Sequence, residues 1–110
     1  MNSIPGRGDI VWLNFDPTVG HEQSGRRPAL IISPESYNKK TGLALAYPIT
    51  SKVKGYAFEV SIPERLPISG VILADQIKSI DWVGRNAEFI CALPSQIFED
   101  VIAKTLTLLE

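Results

Sequence analysis

The sequence predicts a small, mainly β domain in which a partly open barrel or strongly bent sheet carries one dominant helix at its C-terminal end. Short segments of strand-forming residues alternate with eight glycines and eight prolines along the 110 residues. Helical periodicity is clear only after Pro94. No repeat, low-complexity tract or linker interrupts the chain, so we expect residues 1–110 to form a single domain.

Seven segments have the composition and spacing of β-strands. In the first, Val11, Leu13 and Phe15 alternate on one face, and residues 58–62 alternate cleanly with period two. The predicted strands are residues 10–15, 29–33, 43–47, 58–62, 71–74, 80–83 and 87–92. Many short strands separated by turn residues favour a barrel or bent sheet over a parallel α/β fold.

The C-terminal helix is predicted from positions that recur at three-to-four spacing. Pro94 suits the start of a helix, Glu99 and Asp100 lie in its early turns, and Lys104 lies later, as the helix dipole favours. The recurring positions are Ile97, Phe98, Val101, Ile102, Thr105, Leu106 and Leu109. We therefore expect an amphipathic helix that packs on the sheet.

Cysteine content and hydropathy narrow the class of protein. Cys91 is the only cysteine, which excludes an intramolecular disulfide and favours a reducing compartment. The first residues lack the apolar stretch of a signal peptide, and every apolar run is far shorter than the ~20 residues of a membrane span. We expect a cytoplasmic protein without membrane attachment, in which Cys91 is a small buried hydrophobe.

The net charge of −1 hides an uneven distribution of charged side chains. Residues 20–56 carry six basic and two acidic side chains, a local charge of +4, whereas residues 57–110 carry −4. A clustered basic face attracts polyanions even on a protein that is neutral overall. The alternative is a set of solvated loop charges without a partner.

A connection of twelve residues, 16–27, joins the first two predicted strands and is about twice the usual length. Its ionisable and amide side chains are His21, Glu22, Gln23, Arg26 and Arg27. They supply what RNA cleavage by its own 2′-hydroxyl requires: a group that accepts a proton, a proton donor, and cations beside the pentacoordinate phosphorus. Either Glu22 or His21 could serve as the base. A flexible hydrophilic loop is the alternative.

A metal-dependent reaction is not favoured by the composition. One histidine, no close carboxylate cluster and no thiol pair leave too few ligands for a dedicated metal site. We therefore expect neither a metal nor another cofactor.

Two later segments add groups that suit RNA binding, although an ordinary turn would explain each of them. In residues 48–56, hydroxyls and lysines follow a predicted strand, and in residues 75–81 a carboxylate and an amide do. The candidates are Thr50, Ser51, Lys52, Lys54, Tyr56, Asp75, Gln76 and Lys78. Trp12 and Trp82 could stack on bases, but their strand patterns favour a place in the core or an interface.

Four motifs together resemble the MazF/PemK family of toxin endoribonucleases. They are Gly8-Asp9-Ile10-Val11-Trp12, Asp16-Pro17-Thr18-x-Gly20-His21-Glu22-Gln23-x-Gly25-x-Arg27-Pro28-Ala29, Pro48-x-Thr50, and Asp75-Gln76-Ile77-Lys78-Ser79-Ile80. The resemblance implies a CcdB-like, SH3-like barrel and a homodimer. It also implies metal-independent, sequence-specific cleavage of single-stranded RNA, including mRNA, which leaves 2′,3′-cyclic phosphate and 5′-hydroxyl ends and inhibits translation and growth. The implied partner is a cognate MazE- or PemI-like antitoxin whose acidic tail covers the RNA groove.

The family has two catalytic descriptions, and the resemblance places this chain with the MazF branch. In that branch the arginine of Arg-Pro and the threonine of Pro-x-Thr act, here Arg27 and Thr50, with Glu22 in support. The PemK branch uses an arginine two residues before Asp75, where this chain has Leu73. The residues then implied for RNA binding are His21, Gln23, Arg26, Ser51, Lys52, Lys54, Tyr56, Asp75, Gln76 and Lys78.

The alternative function is a non-enzymatic, CcdB-like toxin that binds and poisons DNA gyrase. Such toxins end in a helical Trp-Gly-Ile, whereas this sequence reads Leu108-Leu109-Glu110, which argues against gyrase binding. A catalytically inactive regulator of the same fold is disfavoured because Arg27 and Thr50 are both present.

Overall fold

The computed structural model describes residues 3–15 and 25–110. Within these ranges it contains seven strands and two helices. The strands are β1 Asp9–Phe15, β2 Gly25–Ile31, β3 Leu43–Thr50, β4 Glu59–Ser61, β5 Val71–Leu73, β6 Lys78–Asp81 and β7 Glu88–Ala92, and the helices are α1 Glu35–Thr41 and α2 Ser95–Leu106. The prediction of a mainly β fold with a C-terminal helix is confirmed.

The strands form one antiparallel sheet in the order β4-β5-β3-β2-β1-β7, with β6 paired to β3 outside this path. The first half of β3 pairs with β6, and its last two residues pair with β5. Side chains of a strand alternate between two faces, and the successive residues Ala46 and Tyr47 are both buried because each face is covered by its own cluster of apolar side chains. Strand β3 is therefore the shared partner of β2, β5 and β6 at the centre of the fold.

Buried side chains form two clusters on the two faces of the sheet. The cluster beneath α2 contains Ile10, Leu30, Tyr47, Ile49, Val60, Ile62, Ile68, Ile72, Ala74, Leu93 and Val101. The second contains Val11, Leu13, Ala29, Ile31, Ala44, Ala46, Trp82 and Ala87. Val11 and Leu13 share a face, as their alternation predicts, whereas the Phe15 side chain lies outside the described part. Because both faces of β1 and β2 are covered, these two strands form a rigid support for the functional side chains at their ends.

Helix α2 packs on the sheet through the side chains that periodicity identified. Val101 is fully buried, and Ile97, Phe98 and Ile102 pack against the first cluster. The helix ends at Leu106, so the predicted Leu109 lies beyond it in a turn. Cys91 also packs against this cluster, half-buried, and burial raises the pKa of its thiol.

The prediction of one dominant helix left out α1. This helix lacks an apolar stripe, and the residue that it buries is polar: Asn38 is fully inaccessible to solvent. The Asn38 amide donates to the carbonyls of Pro5 (2.7 Å) and Ser33 (3.1 Å) and accepts from the Ser33 hydroxyl (2.5 Å). Hydrogen bonds therefore replace the hydrophobic contacts that usually dock a surface helix.

Neither helix of the described part is long and apolar enough to cross a membrane.

Candidate active site

A concave surface lies beside the carboxyl end of β3 and the first residues of β2. One cavity here, called the basic groove, has a volume of about 570 Å³ and is lined by Trp12, Arg26, Arg27, Thr50 and Lys52, among others. The sequence brings these side chains together because β1 and β2 form a hairpin and β3 runs antiparallel beside β2. Residues separated by more than 20 positions in sequence therefore share one wall.

Two smaller cavities adjoin the basic groove and also include Thr50 in their lining. The apolar cavity, of about 280 Å³, has Arg27 and Lys78 beside apolar side chains such as Ile80. The polar cavity, of about 170 Å³, is lined by Thr50, Lys52, Lys54, Tyr56, Glu59, Leu73 and Gln76. Thr50 thus stands where all three cavities meet, and Arg27 lines two of them.

Arg27 lies on β2 opposite Leu13 of β1, and its side chain is exposed. Pro28 follows it and fixes the local backbone, because the proline ring restricts φ. Within residues 3–15 and 25–110 the Arg27 guanidinium has neither a hydrogen-bond nor an ion-pair partner. Its planar N–H donors have the geometry for a bidentate contact with phosphate oxygens.

Thr50 is the last residue of β3 and is held from two sides. Its backbone pairs with Val71 of β5, and its Oγ1 accepts the N–H of Lys52 at 3.1 Å. A hydroxyl accepts through its lone pairs and keeps one proton to donate, so this contact leaves the Thr50 proton available for a phosphate oxygen. Gly70 approaches so closely that a Cβ there would lie 2.3 Å from the Thr50 carbonyl oxygen.

Arg26 differs from Arg27 because its guanidinium is already bound within the chain. It donates to Asn14 Oδ1, to the Asn86 carbonyl at 3.2 Å and to Glu88 Oε1 at 3.0 Å. The ion pair with Glu88 joins β2 to β7 across β1. Arg26 lines the basic groove, but its partners give it a structural role at the base of the β1–β2 connection.

The segment after β3, residues 51–57 and called here loop 51–57, is exposed throughout. Ser51 and Lys52 line the basic groove, and Lys54 and Tyr56 line the polar cavity. The Tyr56 hydroxyl donates to the Asp75 carboxylate, with oxygen distances of 3.1 and 3.3 Å. The pKa of Tyr56 is raised above its ordinary value of 10.0, first by desolvation and then by the Asp75 carboxylate.

Gln76 and Lys78 follow β5 and lie at different cavities. The Gln76 side chain lines the polar cavity, and Lys78, the first residue of β6, lines the apolar cavity. The Asp75 carboxylate lies beside Tyr56, whose hydroxyl donates to it. The structure thus brings the two later predicted segments, residues 48–56 and 75–81, together around Thr50.

Three predicted site residues, His21, Glu22 and Gln23, lie outside the described residues. Their roles stay predictions. Within residues 3–15 and 25–110, no three histidine, cysteine or carboxylate side chains converge as a metal site requires.

The basic segment 20–56 does not form one continuous face. Lys39 and Lys40 belong to α1, which follows β2 and precedes β3, whereas Arg27 opens β2 and Thr50 ends β3. These two lysines therefore lie at the opposite end of the sheet from the basic groove. Lys78, which the sequence places in the acidic remainder, lies beside the site instead. The local charge that faces the site depends on topology and not on the net charge of a segment.

Sequence reasoning missed Glu59 and the 67–69 segment. Glu59 lines the polar cavity, and Pro67, Ile68 and Ser69 line the basic groove. Glu59 stands in a clean strand pattern where a solvated carboxylate is unremarkable, so no local signal marks it.

The two tryptophans occupy different places. Trp12 is half-buried in the wall of the basic groove, whereas Trp82 is buried and its indole N–H donates to the Asn38 carbonyl at 2.9 Å.

A family model described as PemK-like, MazF-like toxin of type II toxin-antitoxin system matches residues 6–109. The chain belongs to this family. The match confirms the resemblance that the four motifs indicated. It includes the elements that build the basic groove, from β1 to the loop after β3.

Named relatives of this PemK/MazF-like toxin include two from Escherichia coli. Endoribonuclease toxin MazF of strain K12 is 52% identical over 86 residues, which are 76% of this chain and 75% of that protein. Endoribonuclease PemK is 35% identical over 107 residues, which are 94% of this chain and 80% of that protein.

Solved structures agree with the fold. A crystal structure of MazE-MazF (Form-II) from Deinococcus radiodurans matches with a TM-score of 0.93 and 50% identity, covering 98% of this chain and 97% of that chain. A crystal structure of MazF (Form-I) from the same organism matches with a TM-score of 0.88 and 50% identity, covering 98% of each chain. The MazF-like architecture predicted for this toxin is confirmed.

Proposed function

We propose that this PemK/MazF-like toxin is an endoribonuclease that cuts single-stranded RNA, mRNA included, at a specific sequence and without a metal ion. Its activity inhibits translation and growth until a cognate antitoxin neutralises it. The observation that carries the proposal is the meeting of Arg27 and Thr50 in the wall of one basic groove. The 52% identity to an endoribonuclease toxin favours RNA cleavage over gyrase binding.

The proposed reaction is an internal transfer of the phosphodiester. The 2′-oxygen forms a bond to phosphorus, the bond between phosphorus and the 5′-oxygen breaks, and the products are a 2′,3′-cyclic phosphate and a 5′-hydroxyl. One proton leaves the 2′-hydroxyl and one reaches the 5′-oxygen, so the step needs neither an oxidant nor water. Negative charge accumulates on the phosphoryl oxygens in between.

Arg27 and Thr50 are assigned to that negative charge. The Arg27 guanidinium, which has no partner among the described residues, presents parallel N–H donors, and the Thr50 hydroxyl retains a proton to donate. Donors that are fixed before the reaction stabilise the developing charge with little reorganisation. Glu22 is assigned a supporting catalytic role, and the base that takes the 2′-hydroxyl proton is Glu22 or His21.

RNA is proposed to enter along the basic groove and reach the polar and apolar cavities on either side of Thr50. Lysines at the rim would contact phosphates, and the aromatic and amide groups would contact bases, which are accessible in unpaired RNA. The residues assigned to RNA binding are His21, Gln23, Arg26, Ser51, Lys52, Lys54, Tyr56, Asp75, Gln76 and Lys78.

We further propose a cytoplasmic homodimer that is neutralised by a MazE- or PemI-like antitoxin with an acidic tail. The Deinococcus radiodurans relative is described in a MazE-MazF structure. An acidic, extended peptide would suit a groove lined by Arg26, Arg27 and Lys52, because opposite charges steer and orient such partners. Two copies would also lengthen the groove beyond what one 110-residue chain offers.

The proposed function is tested by incubating the purified protein with labelled single-stranded RNA in excess EDTA. We expect cleavage that added Mg²⁺ does not increase. Arg27→Ala should lower the cleavage rate at least roughly hundredfold, as removal of a stabilising donor does. Arg7→Ala is the matched control, since Arg7 is an arginine at the other end of the β1–β2 hairpin. A requirement for added metal, or near-normal cleavage by Arg27→Ala, would refute this assignment.

A further inference from the structure

Loop 51–57 carries several residues assigned to RNA binding but has no buried anchor of its own. Every residue from Ser51 to Tyr56 is exposed. Hydrophobic burial therefore contributes little to its conformation, and local polar contacts decide it. The contacts that restrain this loop also set where Lys52, Lys54 and Tyr56 stand beside Thr50.

The main restraint comes from Glu59, the first residue of β4. Its carboxylate accepts two consecutive backbone N–H groups, from Lys54 to Oε2 and from Gly55 to Oε1, each at 2.9 Å. The Glu59 N–H in turn donates to the Tyr56 carbonyl at 3.1 Å. Gly55 adopts φ +82°, a conformation open to glycine at little cost, and the two amides face the same carboxylate.

Thr50 Oγ1 holds the start of the loop through the N–H of Lys52, and two more contacts hold its far side. The Tyr56 hydroxyl donates to Asp75, and Lys104 of α2 donates from Nζ to the Ala57 carbonyl at 2.8 Å. Neither contact involves Lys52 or Lys54. Among the described side chains, only that of Glu59 accepts hydrogen bonds from the backbone N–H groups of Lys54 and Gly55.

We propose that Glu59 is a positioning residue for RNA binding, which holds loop 51–57 in the shape that presents Lys52, Lys54 and Tyr56 to the RNA. The inference rests on the proposed endoribonuclease function and deepens it. Glu59 does not act on the reacting phosphate. Its loss should weaken RNA binding and leave the chemical step almost unchanged.

The direction in which RNA binding changes when Glu59 is removed distinguishes a positioning role from a purely electrostatic one. Glu59 is a carboxylate that shares the polar cavity with Lys52 and Lys54. If Glu59 only added negative charge beside the RNA, its removal would strengthen binding, because its carboxylate would repel the RNA phosphates. If it holds the loop, its removal weakens binding even though the site becomes more positive.

The test compares the full-length wild type with Glu59→Ala, Glu59→Gln and the control Glu99→Ala. Glu99 is an exposed carboxylate on α2, so its removal changes the total charge equally without touching the loop. KM and kcat are measured on a short labelled RNA that the wild type cuts. We expect Glu59→Ala to raise KM roughly tenfold with kcat within about twofold, and Glu59→Gln to lie between it and the wild type.

A second measurement reads the loop without RNA. Trypsin cuts after lysine, and we expect cleavage after Lys52 or Lys54 to accelerate roughly tenfold in Glu59→Ala but not in Glu99→Ala. A KM that is unchanged or lower in Glu59→Ala, or a loss confined to kcat, would overturn the inference. If Glu59→Ala fails to fold, Glu59→Gln keeps the side-chain volume and decides by the same criteria. Inactive wild-type protein would refute the endoribonuclease function, whereas the trypsin comparison would still judge the role of Glu59 in the loop.

Discussion

Gly70 lies against the backbone of Thr50 and is the glycine whose replacement should matter most for the site. Its φ is +121°, and a Cβ would lie 2.3 Å from the Thr50 carbonyl oxygen and 2.9 Å from its carbon. Backbone atoms cannot rotate away as a flexible side chain can. Any larger residue must therefore push the Gly70 segment and the end of β3, which carries Thr50, apart.

We predict that Gly70→Ala lowers kcat/KM for RNA roughly hundredfold, since a displacement of about 1 Å can cost that much. Gly8→Ala is the matched control: Gly8 also has a positive φ, +93°, but nothing lies within 4 Å of a Cβ there. The control should lose about 1–2 kcal/mol of unfolding free energy and keep its cleavage rate. Equal activity of the two folded variants would show that Gly70 does not position Thr50.

Helix α1 depends on one polar side chain for its attachment. Asn38 contacts Pro5 and Ser33, and the Ser33 hydroxyl also accepts the N–H of Leu45 at 2.9 Å. The Asn38 carbonyl accepts the Trp82 indole N–H. The N-terminal segment, α1, β3 and the residue after β6 therefore meet in one hydrogen-bonded network at the end of the sheet away from the site.

We predict that Asn38→Leu lowers the unfolding free energy by about 3 kcal/mol, because buried polar partners lose their hydrogen bonds. Urea denaturation measures the change, with Lys39→Ala as the control at an exposed neighbouring position of the same helix. The unfolding free energy of the Lys39→Ala control should change by less than about 0.5 kcal/mol. A loss below about 1 kcal/mol in Asn38→Leu would contradict this account of how α1 is attached.

Over the whole molecule, most of the fold follows from local sequence patterns. Strand-forming composition and alternation located seven strands of the described part, and the spacing after Pro94 located α2. Several bounds were wrong. Strand β2 begins at Gly25, so Arg26 and Arg27 lie on a strand and not in the predicted connection 16–27, β3 continues to Thr50, and β6 is Lys78–Asp81 instead of residues 80–83. Helix α1 escaped prediction because helical periodicity is a pattern of apolar residues, and α1 buries Asn38 instead. Its boundary signals, Pro34 before it and Gly42 with φ +73° after it, are present but carry little weight without that pattern.

The candidate site also contains residues that the sequence predicted and residues that it did not. Arg27 and Thr50 were predicted from motifs, and the structure places both in one groove. Glu59 and Gly70 were not predicted, because their importance arises from contacts with the loop and with Thr50 that only the folded chain creates. The pairing of β3 with β5, and of β5 with β4, brings those groups together.

Charge at the scale of the whole molecule gives a prediction about salt. RNA binding is measured with the Arg27→Ala variant, whose cleavage is strongly reduced. Its association constant K should fall with salt, and a plot of log K against the logarithm of the salt concentration should have a slope of about −0.7 for each phosphate neutralised. Replacing both Lys52 and Lys54 with alanine should reduce that slope by about 1.4. Replacing Lys39 and Lys40 is the matched control, since α1 lies away from the groove, and should leave the slope unchanged. Equal effects of the two pairs would contradict the assignment of RNA binding to loop 51–57.

The central claim is that Arg27 and Thr50 stabilise an RNA phosphodiester while its own 2′-hydroxyl attacks. The most direct test identifies both new ends of a long RNA cut by the wild-type protein in EDTA, by sequencing fragments captured through their 5′-hydroxyl and by analysing the 3′ ends. The account predicts 5′-hydroxyl and 2′,3′-cyclic phosphate ends at one recurring short sequence. Fragments with 5′-phosphate ends, which require attack by water or another nucleophile, would contradict it.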